Sequence, residues 1–270
     1  MNLLRIIMLS SIINRLKGIK LALKKSDISS TYLLGSKYKD SSHYKDGQKA
    51  NLIQNSSIVK RHEIINFLLK KRQNPLYLEI GVRNPNDNFN LIRCDQKYGV
   101  DPGLEFGSNP VEFRITSDMF FEKLSNGDLL NTSIKFDIIF IDGLHQADQV
   151  MRDIKNSLNY LTDDGFVILH DCNPPTEFHA SENYGFVLSP SMGAWNGTTW
   201  KAFVEIRKDK SINSCCIDTD WGIGVINKSV KLFPTSTVSN PFFEYHIFAE
   251  KRKESLGLIS YKQFKNYFKH

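Results

Sequence analysis

The sequence predicts an α/β fold: a doubly wound, mostly parallel sheet with helices on both faces. Three observations predict it. Apolar runs at 76–82, 136–141 and 166–169 each stop at a polar or glycine-bearing cluster. Helix-periodic stretches, 58–72 and 147–161, alternate with them. Two further runs, 214–218 and 221–227, are joined by a tight Asp-Thr-Asp turn. Strand–helix–strand alternation makes βαβ units, and strands buried on both faces read as continuous apolar runs.

Residues 1–25 mix Leu and Ile with Arg5, Arg15, Lys17, Lys20, Lys24 and Lys25, and contain no acid. Those six charges equal the net +6 of the chain, so the remainder is formally neutral. A basic nucleic-acid footprint across the domain is therefore not expected. The uncharged run Ile6–Asn14 is too short to span a bilayer. A basic amphipathic helix on the inner face of a membrane is one reading, and a helix packed on the body or a partner subunit is another. A signal peptide is a third, without a small-residue cleavage site. Residues 26–57 are rich in Ser, Lys, Asp, Tyr and Gly and predict an irregular linker or a mobile lid. Residues 1–57 thus form an N-terminal segment and linker, 58–228 the main domain, and 229–270 an extension. The aromatic residues of that extension, among them Phe243, Phe248, Phe264 and Phe268, predict docking on the body or a homodimer contact.

A helix over 58–72 carries Ile64, Ile65, Leu68 and Leu69 on one side, and Pro75 ends it. Leu76–Val82 is a strand, followed by a loop in which Asp87 is placed to cap a short helix through Ile92. Tyr98–Asp101 is the second strand and Phe113–Thr116 the third. In the helix 147–161, Val150, Ile154, Leu158 and Leu161 recur at helical spacing. The four cysteines have no metal-ligand spacing, and Cys215 and Cys216 point to opposite faces of a strand. This predicts a reduced, cytoplasmic protein.

Parallel strands bring their carboxyl ends to one edge, where open α/β sheets bind ligands. Asp142, His145, His170, Asp171 and Asn173 should therefore converge. A glycine after the first strand and an acid ending the second suit a nucleoside; the absence of further glycines argues against a pyrophosphate.

Four motifs in order, Leu78-Glu79-Ile80-Gly81-Val82, Gly99-Val100-Asp101-Pro102, Phe140-Ile141-Asp142-Gly143-Leu144-His145 and Gly165-Phe166-Val167-Ile168-Leu169-His170-Asp171, resemble the class I S-adenosylmethionine-dependent methyltransferases. More narrowly, the chain resembles the bacterial members found with surface-polysaccharide and small-molecule tailoring enzymes. The resemblance covers roughly 58–228. It implies a Rossmann-like seven-stranded sheet with an antiparallel last strand. By position, Glu79 and Gly81 would line the methionine part of S-adenosylmethionine, Asp101 the ribose, Ser117 and Asp118 the adenine, and Asp142 the sulfonium region.

The resemblance implies methyl transfer to a small-molecule or sugar hydroxyl. Such a hydroxyl needs a base or a metal. In one arrangement His145 or His170 takes the proton and Asp171 orients the ring. In the other, Asp142 and Asp171 hold Mg²⁺ or Mn²⁺. The first is preferred, because His170 stands where metal-dependent relatives often carry an acid. Trp195, Asn196 and Trp200 around an Asn-Gly turn suit a sugar face, and Thr199 is placed to cap the helix that follows. The alternatives are a catalytically silent nucleoside-binding module and a metal-dependent enzyme acting on another small molecule.

Overall fold

The computed structural model describes residues 16–17, 20, 27–105, 109, 111–184, 189–229 and 233–268. The membrane-contact reading of residues 1–25 lies almost wholly outside them. No helix among the described residues is long and apolar enough to cross a membrane.

Seven strands form one sheet in the order β2-β1-β3-β4-β6-β5-β7. They are β1 (Leu76–Ile80), β2 (Gln96–Val100), β3 (Phe136–Ile141), β4 (Leu161–Leu169), β5 (Asn213–Ile217), β6 (Ile223–Asn227) and β7 (Leu258–Ile259). β1 pairs in parallel with β2 and β3, and β3 with β4. β6 is antiparallel to both β4 and β5. The predicted α/β class, with one antiparallel strand near the end, is what the chain adopts.

The seven are not quite the seven expected. Phe113–Thr116 does not form a strand; its pairing is a single bridge from Phe113 to Val100. The last strand is instead β7, from the C-terminal extension, parallel to β5. The linker reading of 26–57 is also corrected. Helices α1 (Asp27–Lys39) and α2 (Ser42–Asn55) occupy it. Polar composition there reflects solvated helix surface, not irregular backbone.

Both faces of the sheet are covered. On one lie Leu78, Ile80, Ile139, Ile141, Val167 and Leu169, against helices α4 (Ser117–Asn126), α5 (Ala147–Asn159) and α6 (Thr199–Ile206). On the other lie Tyr77, Ile138, Phe140 and Ile168, against Ile64, Ile65, Leu68 and Leu69 of α3 (Arg61–Leu69). Adjacent Cys215 and Cys216 divide between the two clusters, as alternation along a strand requires. Each fully buried Leu, Ile or Phe contributes about 1.5–3 kcal/mol.

The extension folds onto the body as α7 (Tyr245–Glu250), α8 (Arg252–Leu256), β7 and α9 (Tyr261–Asn266). Trp200 packs on Phe248 with ring centroids 4.3 Å apart. Phe264 is buried near Phe67, and Phe268 contacts Phe67 and Phe166. Arg207 is 1% exposed, with no carboxylate bonded to it among the described residues. Its guanidinium donates instead to the carbonyls of Ser214, Pro234 and Ser255.

Candidate active site

β1, β3, β4 and β5 run the same way, so their carboxyl ends share one edge. A helix leading into β1 must run antiparallel to it, so α3 begins at that edge. The β5–β6 turn, Asp218–Gly222, also falls there. These chain ends carry the site.

At its centre are Asp142 after β3 and the pair His170-Asp171 after β4. Asp142 Oδ1 lies 3.2 Å from His145 Nε2 and 3.2 Å from His170 Nδ1. Asp171 Oδ2 lies 3.3 Å from His145 Nε2 and 3.1 Å from His170 Nδ1. Two carboxylates and two imidazoles thus interlock. Asp171 takes a left-handed backbone, φ +60°, rare outside glycine but tolerated by Asp. Asn196, fully buried, donates to its Oδ1 at 2.8 Å. That strained acid is held from both sides.

His145 is fixed by the connection between β4 and α6. Its Nδ1 is 3.1 Å from the Trp195 carbonyl, which only accepts, so Nδ1 carries a proton. The Trp195 ring stacks on the imidazole at 5.1 Å. Thr198 N donates to the His145 carbonyl at 2.7 Å, and Thr198 Oγ1 accepts from Ala147 N, capping α5. Gly197 has φ +61°, and a Cβ there would collide with the His145 carbonyl. With Nδ1 occupied, Nε2 faces Asp142 and Asp171. Burial opposes a charge on this ring, but the two acids outweigh it and raise the His145 pKa above its ordinary 6.5.

Two residues missed in the sequence complete the cluster. Arg61, at the start of α3, puts Nη1 2.8 Å from His170 Nε2 and 3.5 Å from Asp220 Oδ2. Its Nε is buried without a hydrogen-bond partner among the described residues, 3.8 Å from Asp142 Oδ2. Asp220, in the β5–β6 turn, accepts from Arg61 N at 2.9 Å and pairs with Lys60 Nζ at 3.3 Å. Burial opposes charge on Asp142 and Asp220, yet the histidines and Arg61 hold both carboxyls below their usual range. Arg61 can only donate, so its contact favours a bare Nε2 on His170 and a proton on Nδ1, while, against burial, Asp142 and Asp171 raise the pKa of this ring well above 6.5. Both His170 nitrogens are then engaged. The signals were present: a helix start and a hairpin turn at the carboxyl edge, each with a charged pair.

The nucleoside side forms at the same edge. Gly81 has φ +86°, and a Cβ there would strike the Asp142 carbonyl and Gly143. Asp101 ends β2, and its two oxygens accept from Arg83 N at 2.8 Å and Gly103 N at 2.6 Å. A carboxylate has about four acceptor sites, so each oxygen keeps one for a ligand. Glu79 is buried and accepts from Tyr77 Oη at 2.6 Å and Asn88 Nδ2 at 2.8 Å. Burial pushes its pKa up to about 8, which makes it a neutral acid at pH 7. Ser117 and Asp118 begin α4, where both accept from Gln149 Nε2 of α5.

Several expected contacts fall elsewhere. Trp200 is 1% exposed and part of the core, so it presents no face to a ligand. Asn196 serves Asp171. Asn173 is also buried, donating to Asp218 at 3.1 Å and accepting from Arg252 of the extension. The turn after β1 is capped by Asn84, not Asp87. The cap residue of α6 is Thr198, one position before the expected Thr199.

Residues 85–172 match a family model described as a methyltransferase domain. The matched stretch includes Asp101, Asp142, His145, His170 and Asp171, and ends before Asn196. No curated protein matches the chain. Among solved structures, an O-methyltransferase from Bacillus cereus in complex with S-adenosylhomocysteine is 12% identical, over 69% of this chain and 90% of that one, with a TM-score of 0.40. TomG from Streptomyces achromogenes, an O-methyltransferase of tomaymycin synthesis in complex with S-adenosylmethionine, is 12% identical over 70% and 91%, with a TM-score of 0.43. The methyltransferase PaMTH1 from Podospora anserina, with S-adenosylhomocysteine bound, is 14% identical over 76% and 97%, with a TM-score of 0.41.

Within the matched stretch, Asp142, His170 and Asp171 each offer a donor atom within 4.8 Å of the others, close enough to share a metal ion. The donor set suits a divalent cation. The seated Arg61 does not. Its contact favours a proton on His170 Nδ1, the nitrogen a metal would need bare, and its charge lies beside Asp142.

Proposed function

We propose that this chain is an S-adenosylmethionine-dependent O-methyltransferase acting on a sugar or glycan precursor at the cytoplasmic face of a membrane. One observation carries the reading: Gly81, Asp101 and the His–Asp cluster occupy a single sheet edge, with Gly81 against the backbone of Asp142. Gly81 lets the ends of β1 and β3 approach backbone to backbone, which brings Asp142 up against the first strand. Asp101 keeps acceptor capacity for two ribose hydroxyls. Asn109, in the loop after Asp101, is buried with no bond to its side-chain amide among the described residues, which offers a polar group for an adenine. S-adenosylmethionine, when bound, supplies an electrophilic methyl group.

The remaining work falls to the protein: orienting an acceptor hydroxyl and accepting its proton. His145 suits the second task better than His170, because its side chain is the more accessible, 19% exposed against 7%, and no cation among the described residues lies against its Nε2. The ring swings little, because Trp195 and Thr198 hold it. A proton arriving at Nε2 lies between Asp142 and Asp171, which stabilise the imidazolium it creates. Asn196 orients Asp171 and so acts through it. No step requires a metal.

A sugar acceptor is supported by the cavity beyond Trp195. It has a volume of about 350 Å³ and is lined by Phe178, Ser181, Asn183, Ser191 and Trp195 among others. Aromatic faces with hydroxyl and amide groups match the alternating apolar and hydroxylated surface of a pyranose. The basic segment 1–25 supports a membrane contact.

Titration calorimetry with S-adenosylmethionine and S-adenosylhomocysteine tests the cofactor. Binding of both is expected, and binding of neither would end this reading. A screen of nucleotide sugars for methyl transfer tests the acceptor. Loss of binding to anionic vesicles on deleting residues 1–25 tests the membrane contact.

A further inference from the structure

The acid cluster at the carboxyl edge already contains a cation, and it comes from outside the matched methyltransferase stretch. Arg61 reaches in from the start of α3. We infer that Arg61 and a divalent cation are alternative occupants of this cluster, with Arg61 the resident one.

Two independent features lead to this. The first is the direction of the hydrogen bonds. A metal on His170 Nδ1 needs that nitrogen bare, which moves the ring proton to Nε2. Arg61 Nη1, 2.8 Å from Nε2, is a donor and would then face another donor. One of the two must leave. The second is charge. Arg61 Nε is 3.8 Å from Asp142 Oδ2, and Nη1 is 3.5 Å from Asp220 Oδ2. A dication on Asp142 and Asp171 would sit beside this guanidinium in a poorly solvated site, where like charges repel strongly.

Arg61 is also held where it is. Its backbone N donates to Asp220 Oδ2, and Asp220 is steadied in turn by Lys60 and by its own amide on Ser57 Oγ. Gln54 of α2 accepts from Trp221 N, next along the turn. The elements before β1 therefore set the occupant of the cluster. The inference rests on the methyltransferase reading only for its catalytic meaning: the enzyme would work with a built-in counter-cation.

The test uses Mn²⁺ and the full chain, with free Mn²⁺ followed by electron paramagnetic resonance. Arg61→Gln should bind Mn²⁺ about tenfold or more tighter than the wild type. The gain should vanish in the double variant Arg61→Gln/Asp142→Asn. Equal affinity of wild type and Arg61→Gln, or a gain that survives Asp142→Asn, overturns the inference. If Arg61→Gln does not fold, Arg61→Met, of similar length and uncharged, carries the test. It removes both the charge and the donor facing His170, so Mn²⁺ should still bind tighter, and unchanged affinity overturns the proposal. S-adenosylhomocysteine calorimetry on the wild type separates the two claims. Failure there removes the methyltransferase reading and leaves the Mn²⁺ comparison standing; intact binding with unchanged Mn²⁺ affinity removes Arg61 alone.

Discussion

Replacing His145 by Asn removes the imidazole and leaves a side chain that can still bond the Trp195 carbonyl. A general base contributes roughly 10²–10⁴ in rate, or about 2.7–5.5 kcal/mol of barrier. The turnover number should fall by that factor while S-adenosylhomocysteine affinity stays within about twofold, since the ring faces the acids rather than the Asp101 side. The pH profile gives a sharper reading. A base works when neutral, so the rate rises with pH through its pKa. Asp142 and Asp171, 3.2 and 3.3 Å from Nε2, raise that pKa. The rising limb should therefore lie above pH 6.5. Asp171→Asn removes one of the two charges and should move the limb down by about 1–3 units. The assay is transfer of a labelled methyl group across pH 5.5–9.5 in roughly constant ionic strength. A His145→Asn enzyme that keeps most of its turnover number, or a limb that ignores Asp171→Asn, would refute the assignment of the proton to His145.

Glu79 titrates near 8 in the folded chain against an ordinary 4.5, so the native state keeps a proton that the unfolded chain has lost; stability should fall as pH rises from about 4.5 to about 8. Glu79→Gln should flatten that fall and raise stability at pH 8 by an amount on the order of a few kcal/mol, read from thermal melts. Asp101→Ala should weaken S-adenosylhomocysteine binding at least about tenfold by calorimetry and, because two backbone amides lose their acceptor, also cost about 1–3 kcal/mol in denaturant titration. Trp200→Ala should cost about 3–5 kcal/mol of stability yet leave the KM for the acceptor unchanged in folded enzyme, whereas a raised KM would return Trp200 to the binding surface.

Much of the site was legible because parallel strands have one carboxyl edge. Continuous apolar runs located β1, β3 and β4, and the polar clusters at their ends had nowhere else to go. The meeting of Asp142, His145, His170 and Asp171 follows from that alone. Arg61 and Asp220 were hidden by their settings: one reads as a helix start and the other as a turn, and neither advertises a direction in space. Trp200 misled because amphipathic aromatics serve cores and sugar faces alike, and only the extension, folding back with Phe248, decides between them. Phe113–Thr116 has strand-like composition but an outer position, where one bridge is all it makes. The helices in 27–55 are polar and carry weak periodicity, so their order comes from contacts with distant loops, such as Asn51 with His179 and Ser191.

Arg207 has a bearing on how the chain matures. Its guanidinium is sealed inside the fold, satisfied by carbonyls that belong to both β5 and the extension, and a Cβ on Gly257 would collide with it. An ion left in that interior without those carbonyls would cost several kcal/mol. Domains tend to condense from the N-terminus while the ribosome is still adding residues. Here the edge of the sheet at β5 has to wait. Until Pro234 and Ser255 have been synthesised, Arg207 has no interior to enter, and α6, which ends beside it, stays loosely seated. Trp200 and the following turns of α6 then join the sheet late, in one step with the extension. Nascent chains arrested before residue 255 should accordingly bind chaperones through the α6 surface, and release from them should coincide with closure over Arg207.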